Sequence, residues 1–245
     1  MRASKGFLVI ADISGYTQFV RSHTLRHVPI VGKRMRHTSE RHAEIVITDL
    51  LEVIIEAVGD SMSVNKLEGD AIFFVKESEN PESDVQLIVP TLLNIFAAFQ
   101  RRLYELIYCQ ACLCDCCDQM GDLKVKLVAH VGEFFVKQIA HFEEVAGEDV
   151  ILIHRLLKNR INRDEYFLVT QPFYEIAKGA LGELQFEPHS EDLDLGLTEL
   201  AVHFPNSESV HMTSSPTKWW SRMQKMRAYF AEPRSREGLQ QRLFS

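Results

Sequence analysis

The hydrophobic residues fall into short blocks whose spacing predicts an alternation of strands and helices. The first block, Phe7–Ala11, is apolar throughout and ends at Asp12, which is typical of a strand buried on both faces. Residues 18–38 are mostly polar and are expected to form a helix and a loop. From Ser39 to Val58 the apolar residues recur at helical spacing, and Gly59 ends this predicted helix.

The alternation continues along the chain and gives the fold class. The predicted elements are, in order, a hairpin of Ser63–Lys66 and Ala71–Val75, a helix Val85–Tyr108 that Pro90 either kinks or shortens at its start, strands Leu123–His130 and Val131–Gln138, a helix Val150–Lys158, a strand Tyr166–Thr170, a helix Gln171–Lys178, and strands Leu184–Pro188 and Leu200–Phe204. The order β, α, ββ, α, ββ, α, β, α, ββ predicts an α+β sandwich with helices packed on one sheet.

The predicted domain covers residues 1–205, and two segments of different composition follow it. Residues 206–216 are rich in serine and are expected to form a linker. Residues 217–245 are a basic and aromatic C-terminal tail with helical spacing. Such a helix suits weak contact with an anionic membrane or a partner protein, or it packs Trp219 and Tyr229 on its own domain.

Composition and charge exclude several classes of protein. The 245 residues are 46% hydrophobic and 25% charged, which excludes a disordered chain, a fibre and a disulfide-stapled miniprotein. The formal net charge is −7, and the acidic charge is concentrated in residues 1–205. This balance argues against a nucleic-acid partner. No apolar run reaches the roughly 18–20 residues of a membrane span, so a cytoplasmic location is expected.

Two aspartates stand where predicted strands end. Asp12 follows the first strand, and Asp70 lies at the tip of the predicted hairpin. If those strands are neighbours, the two carboxylates meet at one end of the sheet, and Mg²⁺ prefers such oxygen ligands when phosphates complete its shell. The turn of residues 14–17 would offer backbone N–H groups to those phosphates. The alternative is that each aspartate only caps its own turn.

Four segments carry a resemblance to a known family. They are A-D-I-S-G-Y-T at 11–17, K-L-E-G-D at 66–70, V-A-H-V-G at 128–132, and Gly147 with Arg155 eight residues later. In this order, with an enlarged gap between the first two, they resemble the signature blocks of the class III nucleotidyl cyclase catalytic domain. The resemblance covers roughly residues 6–205 and is nearest to an uncharacterised bacterial branch of that superfamily. It implies a ferredoxin-like α/β sandwich.

The resemblance also implies a reaction and a set of residue roles. Asp12, Asp70 and the Ile13 carbonyl would hold two Mg²⁺ or Mn²⁺ ions, Gly15, Tyr16 and Thr17 would meet the phosphates, Lys66 and Glu144 would read the base, and Arg155 would stabilise the transition-state phosphate. A lysine donor with a carboxylate acceptor suits adenine, so the implied substrate is ATP and the products are cyclic AMP and pyrophosphate. In this family the metal and base residues come from different protomers, which implies a homodimer.

Two positions depart from the family pattern. Ile151 stands four residues after Gly147, where typical cyclases have an asparagine that orients the ribose. The segment 193–197 has no lysine where the family has a late phosphate-binding one. Each loss of a transition-state donor costs about 10²–10³ in rate. The hypotheses are therefore a slow cyclase, a degenerate cyclase-fold module that senses a nucleotide or a metal, and a nucleotide enzyme that does not cyclise.

Three other residues have simpler interpretations. Lys126 is a candidate substitute for the missing lysine, but its position on a strand favours a residue that faces solvent. His130 is interpreted as a core histidine held by a hydrogen bond. Without the family motif, Arg155 would be interpreted as a helix-surface residue in an ion pair.

All five cysteines fall within nine residues. Cys109, Cys112, Cys114, Cys116 and Cys117 are close enough to surround Zn²⁺ or an iron–sulfur centre. The spacing is not that of a standard zinc site, which uses two separated pairs. The alternatives are a redox-active thiol pair and free thiols without a role. Since a secreted framework would scatter its cysteines, structural disulfides are not expected.

Overall fold

A computed structural model describes residues 1–21, 32–108, 119–194 and 196–205. Their strands are β1 Arg2–Ser14, β2 Ser63–Glu68, β3 Ala71–Glu77, β4 Lys124–Ile139, β5 Phe142–Ala146, β6 Tyr166–Thr170, β7 Glu187–Leu193 and β8 Gly196–His203. Their helices are α1 Tyr16–Arg21, α2 Gly32–Val58, α3 Pro81–Tyr108, α4 Glu148–Leu156 and α5 Gln171–Leu181, with short 3₁₀ turns at Gly59–Ser61 and Met120–Asp122. The α+β fold class is confirmed.

The described strands form one sheet in the order β2-β3-β1-β4-β6-β8-β7, and β5 pairs with the far end of β4. β1 is central, because it is antiparallel to both β3 and β4. β4 and β6 are parallel, as a crossover connection requires. The C-terminal end of β1 therefore lies between the N-terminal ends of β3 and β4, at one end of the strands.

The two faces of the sheet bury different sets of residues. On one face, alternate residues of β1 such as Phe7 and Val9 pack with α2, α3 and α5. On the other face, Leu8 and Ile10 pack with Ile153 and Leu156 of α4. Because Asp12 has the same parity as Leu8 and Ile10, it belongs to the face that α4 covers.

The strands predicted at Leu123–His130 and Val131–Gln138 are one element, so this prediction was wrong. A single 16-residue strand, β4, runs through His130 and Val131. Gly132 marks no turn, because its backbone stays in the ladder opposite Gly6 of β1. A Cβ on Gly132 would lie 2.0 Å from the Asp149 carboxylate, so this glycine is needed for close packing of α4.

The strand predicted at Leu184–Pro188 is also wrong in its bounds. The residues that pair with β8 are those of β7, Glu187–Leu193, which are mostly polar. Leu184 instead donates its N–H to the Leu181 carbonyl at the end of α5. β7 is hard to see in the sequence because its one fully buried residue is Glu191, which accepts hydrogen bonds from the Arg160 N–H and from His189.

Helix α3 begins earlier than predicted and continues through Pro90. It starts at Pro81, where a proline at the first position leaves no helical hydrogen bond unmade. Pro90 lies inside this helix and is exposed, and its ring leaves the carbonyl of Gln86 without the usual helical hydrogen bond. The predicted linker 206–216, the tail 217–245 and the cysteines 109–117 lie outside the described residues.

Candidate functional site

Asp12 and Asp70 lie side by side at the end of the sheet where β1 ends and β3 begins. Asp12 pairs with Ala71 in the β1–β3 register, and Asp70 directly precedes Ala71. The Ile13 N–H donates a hydrogen bond of 3.0 Å to the Asp70 carbonyl, so the backbones of the two segments are joined. Gly69 has φ +67°, which allows the tight turn that presents Asp70. The Ile13 side chain is a buried hydrocarbon without a donor atom, so only its backbone carbonyl could serve as a ligand.

The two carboxylates are held in an environment that opposes their charge. Burial, followed by the negative charge of Asp70, raises the pKa of Asp12 to about 6. Burial also raises the pKa of Asp70. A cation placed between them would relieve both effects, because an opposite charge favours the ionised carboxylates. The electrostatics therefore suit a bound divalent cation.

Lys126 lies beside this pair. Its position in the sequence had suggested a strand residue that faces solvent, but it is half-buried. It pairs with Asp12 in the β1–β4 register. Its ammonium lowers the pKa values of both Asp12 and Asp70, against the effect of burial, and stands 5.7 Å from the centre of the Tyr166 ring. The site thus contains a fixed positive charge next to two carboxylates.

The turn after β1 presents backbone donors next to the acidic pair. Gly15 has φ +89°, and its carbonyl accepts the Phe19 N–H at 2.9 Å, which starts α1. The N–H groups of Tyr16 and Thr17 are in the first turn, where a helix supplies no acceptor. The Tyr16 hydroxyl donates to Glu44 Oε1 at 3.1 Å, and burial followed by this hydrogen bond raises the pKa of Tyr16. This side chain therefore ties the turn to α2.

Lys66 and Glu144, the predicted base-reading pair, are brought together from distant strands. Lys66 Nζ lies 3.4 Å from Glu144 Oε2, although β2 and β5 are separated in the sheet order. Lys66 is exposed and Glu144 is half-buried, so a ligand can reach both. The structure thus places a cationic donor and an anionic acceptor within reach of a single planar ring.

Arg155 lies on α4 and is exposed. Its Nη2 is 3.3 Å from Asp194 Oδ2, in the turn between β7 and β8. Ile151 is one helical turn earlier and its side chain is 52% exposed, so it shares a helix face with Arg155. Within the described part of the chain, no hydrogen bond or ion pair joins Lys66, Glu144 or Arg155 to Asp12 or Asp70. One chain thus presents two groups of candidate residues.

A buried polar network fixes α4, and with it Arg155, on the sheet. His130 Nδ1 and Thr170 Oγ1 share a hydrogen bond of 2.8 Å, and His130 Nε2 lies 3.4 Å from Asp149 Oδ1 at the start of α4. Asp149 Oδ2 accepts the Glu133 N–H at 2.6 Å. The His130 contact is the main reason that the pKa of Asp149 is lowered. The interpretation of His130 as a core histidine is confirmed.

Replacing Thr170 with valine tests this network. Thr170→Val keeps the shape but leaves His130 Nδ1 buried without its partner, so we expect the free energy of unfolding to fall by about 1–3 kcal/mol. Urea denaturation measures the change. Thr48→Val is the control, because the Thr48 hydroxyl binds the Glu44 carbonyl on an exposed helix surface. Equal stability losses in the two variants would contradict the structural role of the network.

The metal-ligating side chains of the candidate site are few. Among the described residues, no group of three or more histidine, cysteine or acidic side chains forms a metal site. Asp12 and Asp70 are only two carboxylates, so backbone or phosphate oxygens must complete a shell of about six for Mg²⁺. The donors present fit a cation that arrives with a phosphate ligand, and the cysteine site lies outside the described residues.

Solved structures of cyclase domains share this fold. The adenylyl cyclase CyaB of P. aeruginosa has a TM-score of 0.59 at 11% identity, over 85% of this chain and 98% of that one. The guanylyl cyclase Cya2 has a TM-score of 0.55 at 11% identity, over 86% of this chain and 96% of that one. The adenylate/guanylate cyclase/hydrolase of Silicibacter pomeroyi has a TM-score of 0.55 at 12% identity, over 84% of this chain and 100% of that one. The expected ferredoxin-like fold of the class III nucleotidyl cyclase catalytic domain is confirmed.

Sequence comparison places the chain within a narrower group. It is 32% identical over 158 residues to "Uncharacterized protein Rv2561/Rv2562" of Mycobacterium tuberculosis, over 64% of this chain and 72% of that protein. The family model "Protein of unknown function (DUF2652)" matches residues 47–166. The chain belongs to the same family as the mycobacterial protein, and its own structure has the cyclase-domain fold.

Among the described residues, none of the helices is both long and apolar enough to span a bilayer.

Sequence reasoning gave two residues of the site too little weight. Lys126 was visible in the alternation of β4, where Lys124, Lys126 and Val128 share one parity opposite Val125 and Leu127. That parity is the one that faces α4. Asp194 lies within the segment 193–197, which lacks the family's lysine. The sequence gives no sign that the Asp194 carboxylate contacts Arg155.

Proposed function

We propose that this protein is a homodimeric nucleotidyl cyclase-like enzyme that binds metal–ATP and converts it slowly to cyclic AMP and pyrophosphate. The observation that carries this proposal is the convergence of Asp12 and Asp70 at one end of the sheet, with burial opposing their charge and Lys126 beside them. That arrangement suits Mg²⁺ or Mn²⁺ with an anionic phosphate ligand. The shared fold supports the proposal.

The chain's own residues have distinct parts in the proposed reaction. Asp12, Asp70 and the Ile13 carbonyl would hold two divalent cations. When bound, such cations lower the pKa of a coordinated hydroxyl and neutralise phosphate charge. The backbone N–H groups of Gly15, Tyr16 and Thr17 donate to phosphate oxygens, and Lys126 adds a positive charge.

The reaction transfers an α-phosphoryl group within one molecule. The ribose 3′-oxygen forms a bond to the α-phosphorus, the bond to the bridging oxygen breaks, pyrophosphate leaves, and the hydroxyl proton passes to solvent. Arg155 donates to the phosphate oxygens, where negative charge develops. In the proposed homodimer, Arg155 and the base-reading pair of one protomer act on the nucleotide held by the acidic pair of its partner.

Lys66 and Glu144 account for a preference for adenine. Adenine presents an acceptor at N1 and a donor at N6, which match an ammonium and a carboxylate 3.4 Å apart. Guanine presents the opposite pattern on that edge, so it would face unpaired groups.

Substitution of Lys66 tests this assignment. We expect Lys66→Met to weaken ATP binding by about tenfold, the value of one lost charge-assisted hydrogen bond, and to leave inorganic triphosphate binding unchanged. Competition against a fluorescent ATP analogue measures both. Lys178→Met is the control, because Lys178 forms an exposed ion pair with Glu175 on α5, on the opposite face of the sheet. Equal loss of ATP and triphosphate binding would contradict a base-reading role.

A second function is favoured by Ile151. An exposed aliphatic side chain one turn before Arg155 cannot donate to or accept from a ribose. A module that binds the nucleotide or the metal without cyclisation would need no such contact. The same fold would then act as a sensor.

One experiment separates these functions. The full chain is incubated with ATP, GTP, CTP or UTP under Mn²⁺ and then Mg²⁺, and cyclic nucleotides are measured alongside nucleotide binding by equilibrium dialysis. Cyclic AMP from ATP supports the enzyme. Metal-dependent binding without product supports the sensor, and absence of both contradicts the two proposals.

A further inference from the structure

The turn between β7 and β8 places an acid on the arginine proposed to meet phosphate. Leu193 pairs with Gly196, so Asp194 lies in the tight turn that joins the strands, and Gly196 has φ +104°. Asp194 Oδ2 is 3.3 Å from Arg155 Nη2. The contact joins α4, which packs on one face of the sheet, to the hairpin of β7 and β8. In the strand order this hairpin lies at the edge of the sheet opposite to β2.

The ion pair is open to solvent on both sides. The side chains of Arg155 and Asp194 are 51% and 78% exposed. Exposed ion pairs add little to stability, so fold stability does not account for an acid at this position. A ligand that reaches Arg155 must instead approach the Asp194 carboxylate to within a few ångströms.

The charge of Asp194 acts against the charge of a phosphate ligand. Together, Arg155 and Asp194 have a net charge near zero at the point where a bound phosphate would contact the arginine. Each further phosphate adds negative charge within the range over which exposed charges interact, about 8–10 Å at ordinary salt. The repulsion should therefore grow along the series from mono- to triphosphate.

We infer that Asp194 is a specificity-determining residue that disfavours nucleotides in proportion to their phosphate charge. This inference rests on the proposed function, because it requires Arg155 to contact the phosphates. It provides a physical reason for slow turnover beyond the absence of a lysine from the segment 193–197. An aspartate in this turn weakens triphosphate binding, whereas a neutral residue would only fail to strengthen it.

The test compares the Asp194→Asn variant with a matched variant two residues away. Asp192→Asn removes the same charge from an exposed residue of β7 that has no ion pair with Arg155. Dissociation constants for AMP, ADP and ATP are measured by isothermal titration with the full chain and Mg²⁺. We expect Asp194→Asn to tighten ATP binding about fivefold and AMP binding less than about twofold. The gain should shrink in about 0.5 M salt.

The Asp192→Asn control and a double variant define the results that would overturn the inference. Asp192→Asn should change all three affinities by less than about twofold, because Asp192 is exposed and makes no ion pair with Arg155. In an Arg155→Met background, the gain from Asp194→Asn should fall, because part of it comes from freeing the guanidinium. Equal affinities in Asp194→Asn and Asp192→Asn, or an equal gain for all three nucleotides, would overturn the inference.

The same titrations distinguish this inference from the proposed function. If the affinity for ATP falls in an Asp70 variant but is unchanged in Asp194→Asn, the proposed function is retained and the inference is overturned. ATP binding seen only in Asp194→Asn supports the inference. Absence of nucleotide binding in the wild type and in every variant overturns both.

Discussion

Replacing Asp70 with asparagine is expected to reduce nucleotide cyclisation at least about 100-fold, because it removes one of the two carboxylates that form the candidate metal site. The backbone should be retained, since the Asp70 carbonyl that accepts the Ile13 N–H is unchanged. Cyclic nucleotide production under Mn²⁺ measures the effect. If the wild type binds nucleotide without turnover, the readout is metal-dependent binding, which should fall to the metal-free level.

Asp60→Asn is the control for that experiment. Asp60 is an exposed acid in the 3₁₀ turn between α2 and β2, outside the candidate site. It should leave turnover and binding within about twofold of wild type, as surface substitutions usually do. Wild-type turnover in Asp70→Asn would show that the carboxylate is not a metal ligand. Equal losses in Asp70→Asn and Asp60→Asn would point to net charge as the cause.

The parts of the fold that depend on local apolar patterns could be predicted from the sequence. Phe7–Ala11, the hairpin of Ser63–Lys66 with Ala71–Val75 and the helix that ends at Val58 all lie within elements of the structure. The long strand β4 was divided because valine and glycine after His130 resemble a break. Only the ladder opposite β1 shows that the strand continues there. β7 was misplaced because a buried glutamate in a hydrogen-bonded network has no hydrophobic signal.

The candidate site shows a similar division. From the residues alone, Asp12 and Asp70 were expected to meet only if their strands are neighbours, and the resemblance to cyclase domains implied that pairing. The β1–β3 register places the two residues together. The contact of Lys66 with Glu144 depends on β5, a strand that the sequence pattern did not reveal. Asp194 and Arg155 are 39 residues apart, and their contact depends on where α4 crosses the sheet. Long-range placement of charged side chains has no periodicity to reveal it.

Asp12→Asn is expected to stabilise the metal-free protein at neutral pH while removing its response to Mg²⁺. The folded pKa of Asp12 is about 6, above the value of about 4 for an unfolded aspartate. The folded state therefore holds a proton more tightly, and its stability falls as pH rises from about 4 to 6. Above pH 6 the ionised Asp12 costs about 2–3 kcal/mol, which asparagine avoids.

Thermal unfolding over a range of pH measures this effect. At pH 7.5 with EDTA, the melting temperature of Asp12→Asn should exceed that of wild type by roughly 4–10 °C, and at pH 4.5 this difference should shrink to about a third. Mg²⁺ with nucleotide should raise the melting temperature of wild type only. Asp192→Asn should behave as wild type throughout. A melting-temperature difference that does not depend on pH would contradict a buried, charge-opposed Asp12. Such a difference would also remove the electrostatic argument for a cation at this site, because that argument depends on burial opposing the charge of Asp12.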